Sequence, residues 1–220
     1  MTRVLVLVEG QTEELFVKRI LTPYLLPFNV FPQATIIHTR KVQDAADFKG
    51  GRVSWGKVNP VLKQLLNDRN AALVTTFFDY YGLHKDFPKP EAGDCYQKVL
   101  ELEAWVAQKV KDERLFPYFS LHEFEAMMFV RPEELATQTD RQDMLTELQA
   151  VKAQRSSPEE INDHPDTAPS RRIKKLIPDY KKTGHGISII QNVGLDAIRA
   201  ECPHFNKWLT KLESIGQISS

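Results

Sequence analysis

Apolar positions along the chain fall into two rhythms, and the first third shows both. Val4, Leu5, Val6, Leu7 and Val8 run without a break, the pattern of a strand buried on both faces of a sheet. Glu9 follows where that strand ends, and Gly10 permits a tight turn. Thr12 is placed to cap a helix, with Glu13 and Glu14 in its first turn, where the helix dipole favours negative charge. This helix is expected to reach about Leu26, with Leu15, Phe16, Ile20 and Leu21 on one face. A second strand is expected over 34–39, a loop with the Gly50-Gly51 pair over 44–56, and a helix over 57–68. The third strand, over 72–78, is another continuous β-branched and aromatic run, and it stops at Asp79. After a loop rich in Pro and Gly, Asp94 is placed to cap a long helix to about Asp112, with Val99, Leu102, Val106 and Val110 inward. A strand over 115–121 then leads into His122-Glu123-Phe124-Glu125 and a further helix.

That alternation predicts an α/β fold: a mostly parallel four-stranded sheet flanked by helices. Beyond Pro132 the pattern becomes wholly helical, over 140–153, 169–177, 195–202 and 205–212, with a polar loop over 154–168. The expected division is an α/β domain over 1–131 and a helical extension over 132–220 packed on it.

Composition changes this picture little. Lys plus Arg equals Asp plus Glu at 29 each, so a nucleic-acid partner would need a local basic patch rather than a basic protein. Cys95 and Cys202 lack metal-type spacing and read as reduced thiols of a cytoplasmic protein. The five apolar residues after Arg3 are too few for a signal peptide. The stretch over 20–31, broken by Pro23 and Pro27, is too short to span a membrane.

Candidate chemistry gathers at the strand ends. Glu9, Asp79, Glu123 and Glu125 each follow a strand, and in a parallel sheet such ends share one rim, where open α/β sheets bind ligands. Converging carboxylates repel unless they share a proton or a cation. Oxygen ligands with room for water suit Mg²⁺ or Mn²⁺, and a pair of such ions assists phosphodiester hydrolysis. Glu123 and Glu125 would face different sides of a helix, so one of them serves the site. His122 could be a ligand, a cap or a surface residue, and Tyr80, Tyr81 and Trp55 could stack on bases. A second constellation is basic: SRRIKKLIPDYKKTGH carries Arg171, Arg172, Lys174, Lys175, Lys181 and Lys182 against Asp179. Phosphate contacts need such a cluster, and Ser170 with Arg171 near a helix start could hold an anion. Asn162, Asp163 and His164 precede it as capping residues or as a border of the site. The chain has no GxxxxGK[ST] run, no GxGxxG after the first strand, no GxSxG elbow and no second histidine after HEFEA. A receiver-like phosphotransfer domain using Asp79 would want an acidic pair after the first strand, which a single Glu9 does not supply.

VEGQTEELF resembles the first Toprim motif, a strand ending in Glu-Gly before a helix, and TTFFDYYGL resembles the second. Together with SLHEFEAMMF, INDHPDTAPSRRI and YKKTGHG, these segments resemble a stand-alone bacterial Toprim-like family, domain of unknown function 4276, over nearly the whole chain. The resemblance implies a Toprim-like fold similar to that of the OLD nucleases, Mg²⁺ or Mn²⁺ chemistry on nucleic acid, and a partner ATPase in a mobile-element or phage-defence setting. It implies Glu9 as metal ligand or general acid/base and Asp79 as the first aspartate of the second motif. The second aspartate should fall at Tyr81, and this departure leaves Glu123 or Glu125 to supply the missing carboxylate. The expected catalytic set is therefore Glu9, Asp79 and Glu123, and the metal set adds Glu125. Arg171, Arg172, Lys181 and Lys182 are expected on phosphates, and Glu13, Tyr81 and His122 at the border. Without the second aspartate, a catalytically inactive binding or regulatory subunit is the alternative. A homodimer is the oligomer expected, if any.

Overall fold

The computed structural model describes residues 1–37, 53–121, 123–162 and 167–217. Five strands form one sheet, with β1 (Thr2–Val8) and β3 (Ala71–Asp79) at its centre and β2 (Val30–Ile36) beyond β1. β4 (Leu115–Phe116) and β5 (Phe119–Ser120) both pair with the free side of β3. Every pairing is parallel, so all the carboxyl ends lie on one rim.

The unbroken apolar run of β1 reflects burial on both faces. Val4, Val6 and Val8 belong to one core and Leu5 and Leu7 to the other. The second core is closed by α3 (Trp55–Leu66) and α4 (Cys95–Val110), through Val58 and Leu62 and through Val99, Leu102 and Val106. Asp94 caps α4 as expected, accepting from the Gln97 amide at 2.8 Å. The first core is larger. It joins α1 (Gln11–Phe16) and α2 (Thr22–Leu25) to six later helices: α5 (Pro132–Gln138), α6 (Leu145–Lys152), α7 (Pro169–Leu176), α8 (Ile187–Val193), α9 (Leu195–Glu201) and α10 (Pro203–Gln217). In α10 the spacing of Phe205, Trp208, Leu209 and Leu212 makes one apolar stripe. Trp208 stacks on Phe77 of β3 at 5.4 Å between centroids. Near its end, Gly216 lies so close to the Phe28 carbonyl that no Cβ would fit.

Several boundaries differ from the sequence reading. Gly10, not Thr12, caps α1, and the Glu13 carboxylate reaches back to the Gly10 amide at 3.1 Å. The expected single helix is a helical rod that widens into a π-helical stretch over Val17–Leu21. Pro23 has no amide to donate, and the Thr22 hydroxyl bonds the Val17 carbonyl at 2.8 Å. β2 starts at Val30 rather than Ala34, because an edge strand tolerates Pro32. Most of the expected loop over 44–56, and Thr39, lie outside the described residues. Where a helix was expected after Glu123, the chain forms a fully buried 3₁₀ segment, Phe124–Val130. α5 and α8 were not anticipated, being short and without an extended periodic stripe.

The expected strand over 115–121 is interrupted at Pro117, which cannot join the ladder, and β4 and β5 are its two halves. Hydroxyls of β3 fill the gap. Thr75 Oγ1 donates to the Phe116 carbonyl at 2.6 Å and accepts from Trp208 Nε1 at 2.9 Å. Thr76 Oγ1 donates to the Tyr118 carbonyl at 2.8 Å and accepts from the Tyr118 amide at 2.9 Å. A buried polar group left without its partner costs about 1–3 kcal/mol. Thr76→Val should therefore lower unfolding free energy by roughly 2–3 kcal/mol in urea titrations, while Thr76→Ser should retain most of it. A valine variant as stable as the parent would show that the hydroxyl does not bridge the break.

Candidate functional site

Four carboxylates and one ammonium meet at the carboxyl rim of the sheet, brought there by four different segments. Glu9 is the first residue after β1, and Asp79 is the last of β3. Both border Gly82: a Cβ built there would stand 3.3 Å from Glu9 Oε2 and 3.7 Å from Asp79 Cβ. Glu13 arrives on the first turn of α1 and is buried. Glu125 arrives on the first turn of the 3₁₀ segment and is only 2% exposed. The start of that segment is tied to the rim by the Phe124 amide, which donates to Asp79 Oδ1 at 3.0 Å.

The ammonium is that of Lys182. Its Nζ lies 3.3 Å from Glu125 Oε2, 3.4 Å from Glu13 Oε1 and 3.6 Å from Asp79 Oδ2. It also stands 5.9 Å from the centroid of the Phe124 ring. Lys182 begins a π-helical stretch, Lys182–Gly186, that feeds α8. Gly186 lets this stretch pack closely, since a Cβ there would meet Met128 Cε and Tyr180 Oη at 3.1 Å each. The lysine read as a phosphate contact is therefore the central cation of the acid cluster, and Glu13, read as a border residue, is one of its partners. Sequence spacing carried no signal for this pairing of positions 13 and 182. The KTGHG glycines were the one local hint of an unusual backbone.

The remaining expected residues divide. Glu123 is extended, half-buried, and accepts from the Ser170 amide at 2.9 Å, at the start of α7. The anion expected at that helix start is thus the protein's own carboxylate. Arg172 Nε donates to the Thr167 carbonyl at 2.7 Å, and its Nη1 reaches Gln154 Oε1 at 3.3 Å. Arg171 and Lys181 are exposed, and so is Tyr81. Trp55 is packed against Trp105 and Phe87. His122, Asp163 and His164 lie outside the described residues.

Burial and mutual repulsion govern the protonation of the cluster. Burial, with Glu13 adding to it and Lys182 opposing it, pushes the Glu9 carboxyl up to about 7. Burial also raises Asp79; Lys182 opposes the rise, and Glu13, Glu125 and Glu9 add to it. Glu125 is raised by burial, with Lys182 opposing and Glu123 adding. Burial works against the Lys182 charge, but Asp79, Glu125, Glu13 and Glu123 together hold its proton well above the ordinary lysine value. One ammonium cannot offset the acids around it, so the lysine stays charged while Glu9, Asp79 and Glu125 hold their protons more tightly than free carboxyls. Among the described residues, no three His, Cys, Asp or Glu side chains are close enough together to hold a metal ion as placed. The donor set is nevertheless all oxygen, and the buried Glu125 Oε2 has only the Lys182 ammonium, at 3.3 Å, beside it. Such groups fit a hard divalent cation.

The raised acids fix a sign for pH dependence. A carboxyl held near 7 in the folded chain binds more protons there than in the unfolded chain, so stability falls as pH rises from about 4.5 to 7. Glu9→Gln should remove this term, gaining on the order of 2–3 kcal/mol above pH 7 and converging with the parent below pH 4.5. Lys182→Met should act in the opposite direction, losing about 2 kcal/mol at pH 8, discounted for the partly exposed lysine. That loss should shrink as the acids take up protons towards pH 5. Chemical denaturation across this range measures both, and two flat, parallel pH profiles would refute the electrostatic account.

The fold is similar to the C-terminal region of the Xanthomonas campestris pv. campestris OLD protein, at 15% identity and a TM-score of 0.46 over 100% of this chain and 98% of that one. It is similar also to the C-terminal region of the Burkholderia pseudomallei OLD protein, at 13% identity and a TM-score of 0.46 over 97% and 99%. No curated protein matches the sequence. Residues 8–213 match the family described as Domain of unknown function (DUF4276), and the chain belongs to that family.

Proposed function

We propose that the carboxyl rim is a phosphodiesterase site that cleaves nucleic acid with Mg²⁺ or Mn²⁺. The observation that carries this reading is the surplus of carboxylates, buried Glu13 and Glu125 with half-buried Glu9 and Asp79, over the single ammonium of Lys182. Stability alone gives no reason to gather four acids around one ammonium. Glu9 and Asp79 would hold the ion, with Glu125 behind them and Glu123 retained at the start of α7. When bound, the ion supplies activated water and stabilises a leaving oxygen.

The chain's own groups supply the rest. Burial holds the Glu9 carboxyl near 7 in the ion-free chain, and a bound cation would ionise it, so Glu9 is assigned to the ion and not to proton transfer. Lys182 can offer its charge to a phosphate once a divalent ion takes over the carboxylates. Exposed Arg171 and Lys181, with Arg172, are the phosphate contacts on the approach. The Toprim resemblance extends the proposal to a partner ATPase in a defence or mobile-element setting, and the chain itself has no Walker A run with which to bind ATP. Among the described residues, no helix is long and apolar enough to cross a membrane.

Two features favour a second reading, an inactive binding or regulatory subunit. Tyr81 stands where the motif would place its second aspartate, and Lys182 already fills the middle of the cluster. Thermal melts in millimolar Mn²⁺ separate the two readings without knowledge of the substrate. A metal site should raise the parent's melting temperature by mass action and raise Glu9→Gln and Asp79→Asn less. With oligonucleotides and Mn²⁺, the parent should release shortened products, and Glu9→Gln should lose at least about a hundredfold in rate. Absence of both the metal response and the cleavage would select the binding module.

A further inference from the structure

The chain leaves Asp79 through Tyr80 and Tyr81, which border a cavity of about 480 Å³. Its other walls come from α4, through Tyr96 and Lys98, and from the segment after α6, through Arg155 and the buried Asn162. Tyr81 is 39% exposed, a large ring at the surface where the second-motif resemblance would place a carboxylate. It is set edge-on to Tyr80, with centroids 5.6 Å apart and planes at 90°. Two acids also reach this cavity, and both are engaged. Asp94 caps α4, and Glu160 Oε2 accepts from Ser156 Oγ at 3.0 Å. The basic helix α7 adjoins the same wall, because Arg172 contacts Gln154, the neighbour of Arg155.

We infer that this cavity receives an unpaired nucleobase, so that the rim acts on single-stranded nucleic acid. Aromatic faces bind bases of any identity, and cations beside them hold the flanking phosphates. Tyr80 and Tyr81 supply the rings, and Lys98 and Arg155 supply charge at the wall. A base held in a duplex is stacked on both faces and cannot enter a side cavity unless it is first extruded. A strand with one base in the cavity would run its backbone past Asp79, the residue immediately before Tyr80. The departure at position 81 then exchanges one carboxylate for a stacking surface. This inference rests on reading the rim as a nucleic-acid site, and it does not depend on the ion.

The test measures binding without chemistry. A short labelled oligothymidylate and a hairpin duplex with the same number of phosphates are titrated by fluorescence anisotropy in EDTA. The parent should prefer the single strand. Tyr81→Ala should weaken single-strand binding by about tenfold and leave the duplex unchanged, since stacking on one ring contributes about 1–3 kcal/mol. Tyr81→Phe should bind like the parent, because the ring is kept. Equal affinity for the two probes, or single-strand binding indifferent to Tyr81→Ala, overturns the inference. Cleavage with Mn²⁺ combined with Tyr81-independent binding would overturn it while leaving the phosphodiesterase reading in place. Tyr81-dependent single-strand binding without any metal response supports the cavity and overturns that reading instead.

Discussion

The Lys182 ammonium is the constraint on which the rim depends. Bringing a carboxylate out of water costs several kcal/mol unless a partner compensates, and here Glu13, Asp79 and Glu125 share one partner. The three contacts tie α1, β3 and the 3₁₀ segment to the π-helical stretch that leads into α8. The helices after Pro132 are therefore held to the sheet by charge at the rim as well as by the aromatic stack of Trp208, Phe77 and Tyr118 beneath it. Gly186 and Gly82 have the same logic at short range. Each lies where a side chain would meet the groups that form the cluster or position it.

A shared cation of this kind leaves charge unsettled, and function follows from the remainder. Lys182 lies beyond 3.2 Å from every partner, so it makes no short bond to any single acid. Surface ion pairs elsewhere in the molecule are tighter, such as Arg141 with Asp143 at 2.8 Å. The cluster is thus poorly satisfied as a purely structural device. A proton or a divalent ion would complete it, and a phosphate could draw the ammonium away. Each of these exchanges would serve the phosphodiesterase proposed for the rim.

Much of this was legible in the sequence, and the losses have identifiable causes. The β-branched runs ending at Val8 and Asp79 located the two central strands, and parallel pairing then placed Glu9 and Asp79 on one rim beside Gly82. Periodicity could not see what followed Glu123. A helix was expected there, whereas seven consecutive buried residues, Phe124–Val130, leave no polar face to define a period. The spacing rule for helices therefore separated Glu123 from Glu125 for the wrong backbone, although the two do take different places. The basic segment was read as one unit, but Lys182 turns inward while Lys181 stays exposed. Long-range charge pairing between positions 13, 79, 125 and 182 leaves no trace in local composition.

The departure at Tyr81 links the chemistry of the rim to the character of the cavity beside it. A carboxylate there would deepen a cluster already too negative for its one lysine, raising Asp79 and Glu9 further unless an ion were bound. A tyrosine adds no charge at neutral pH, and burial together with Cys95 moves its hydroxyl still further from ionising. The acids contributed by Glu13 and Glu125 can then supply the charge that the second motif lacks, from α1 and from the 3₁₀ segment rather than from the end of β3. A tyrosine in place of the acid adds no charge there and lines the neighbouring cavity with a ring. On the proposed reading, Asp79 and the Tyr80-Tyr81 pair follow one another at the end of one strand, as cleaving a strand while holding its unpaired base would demand.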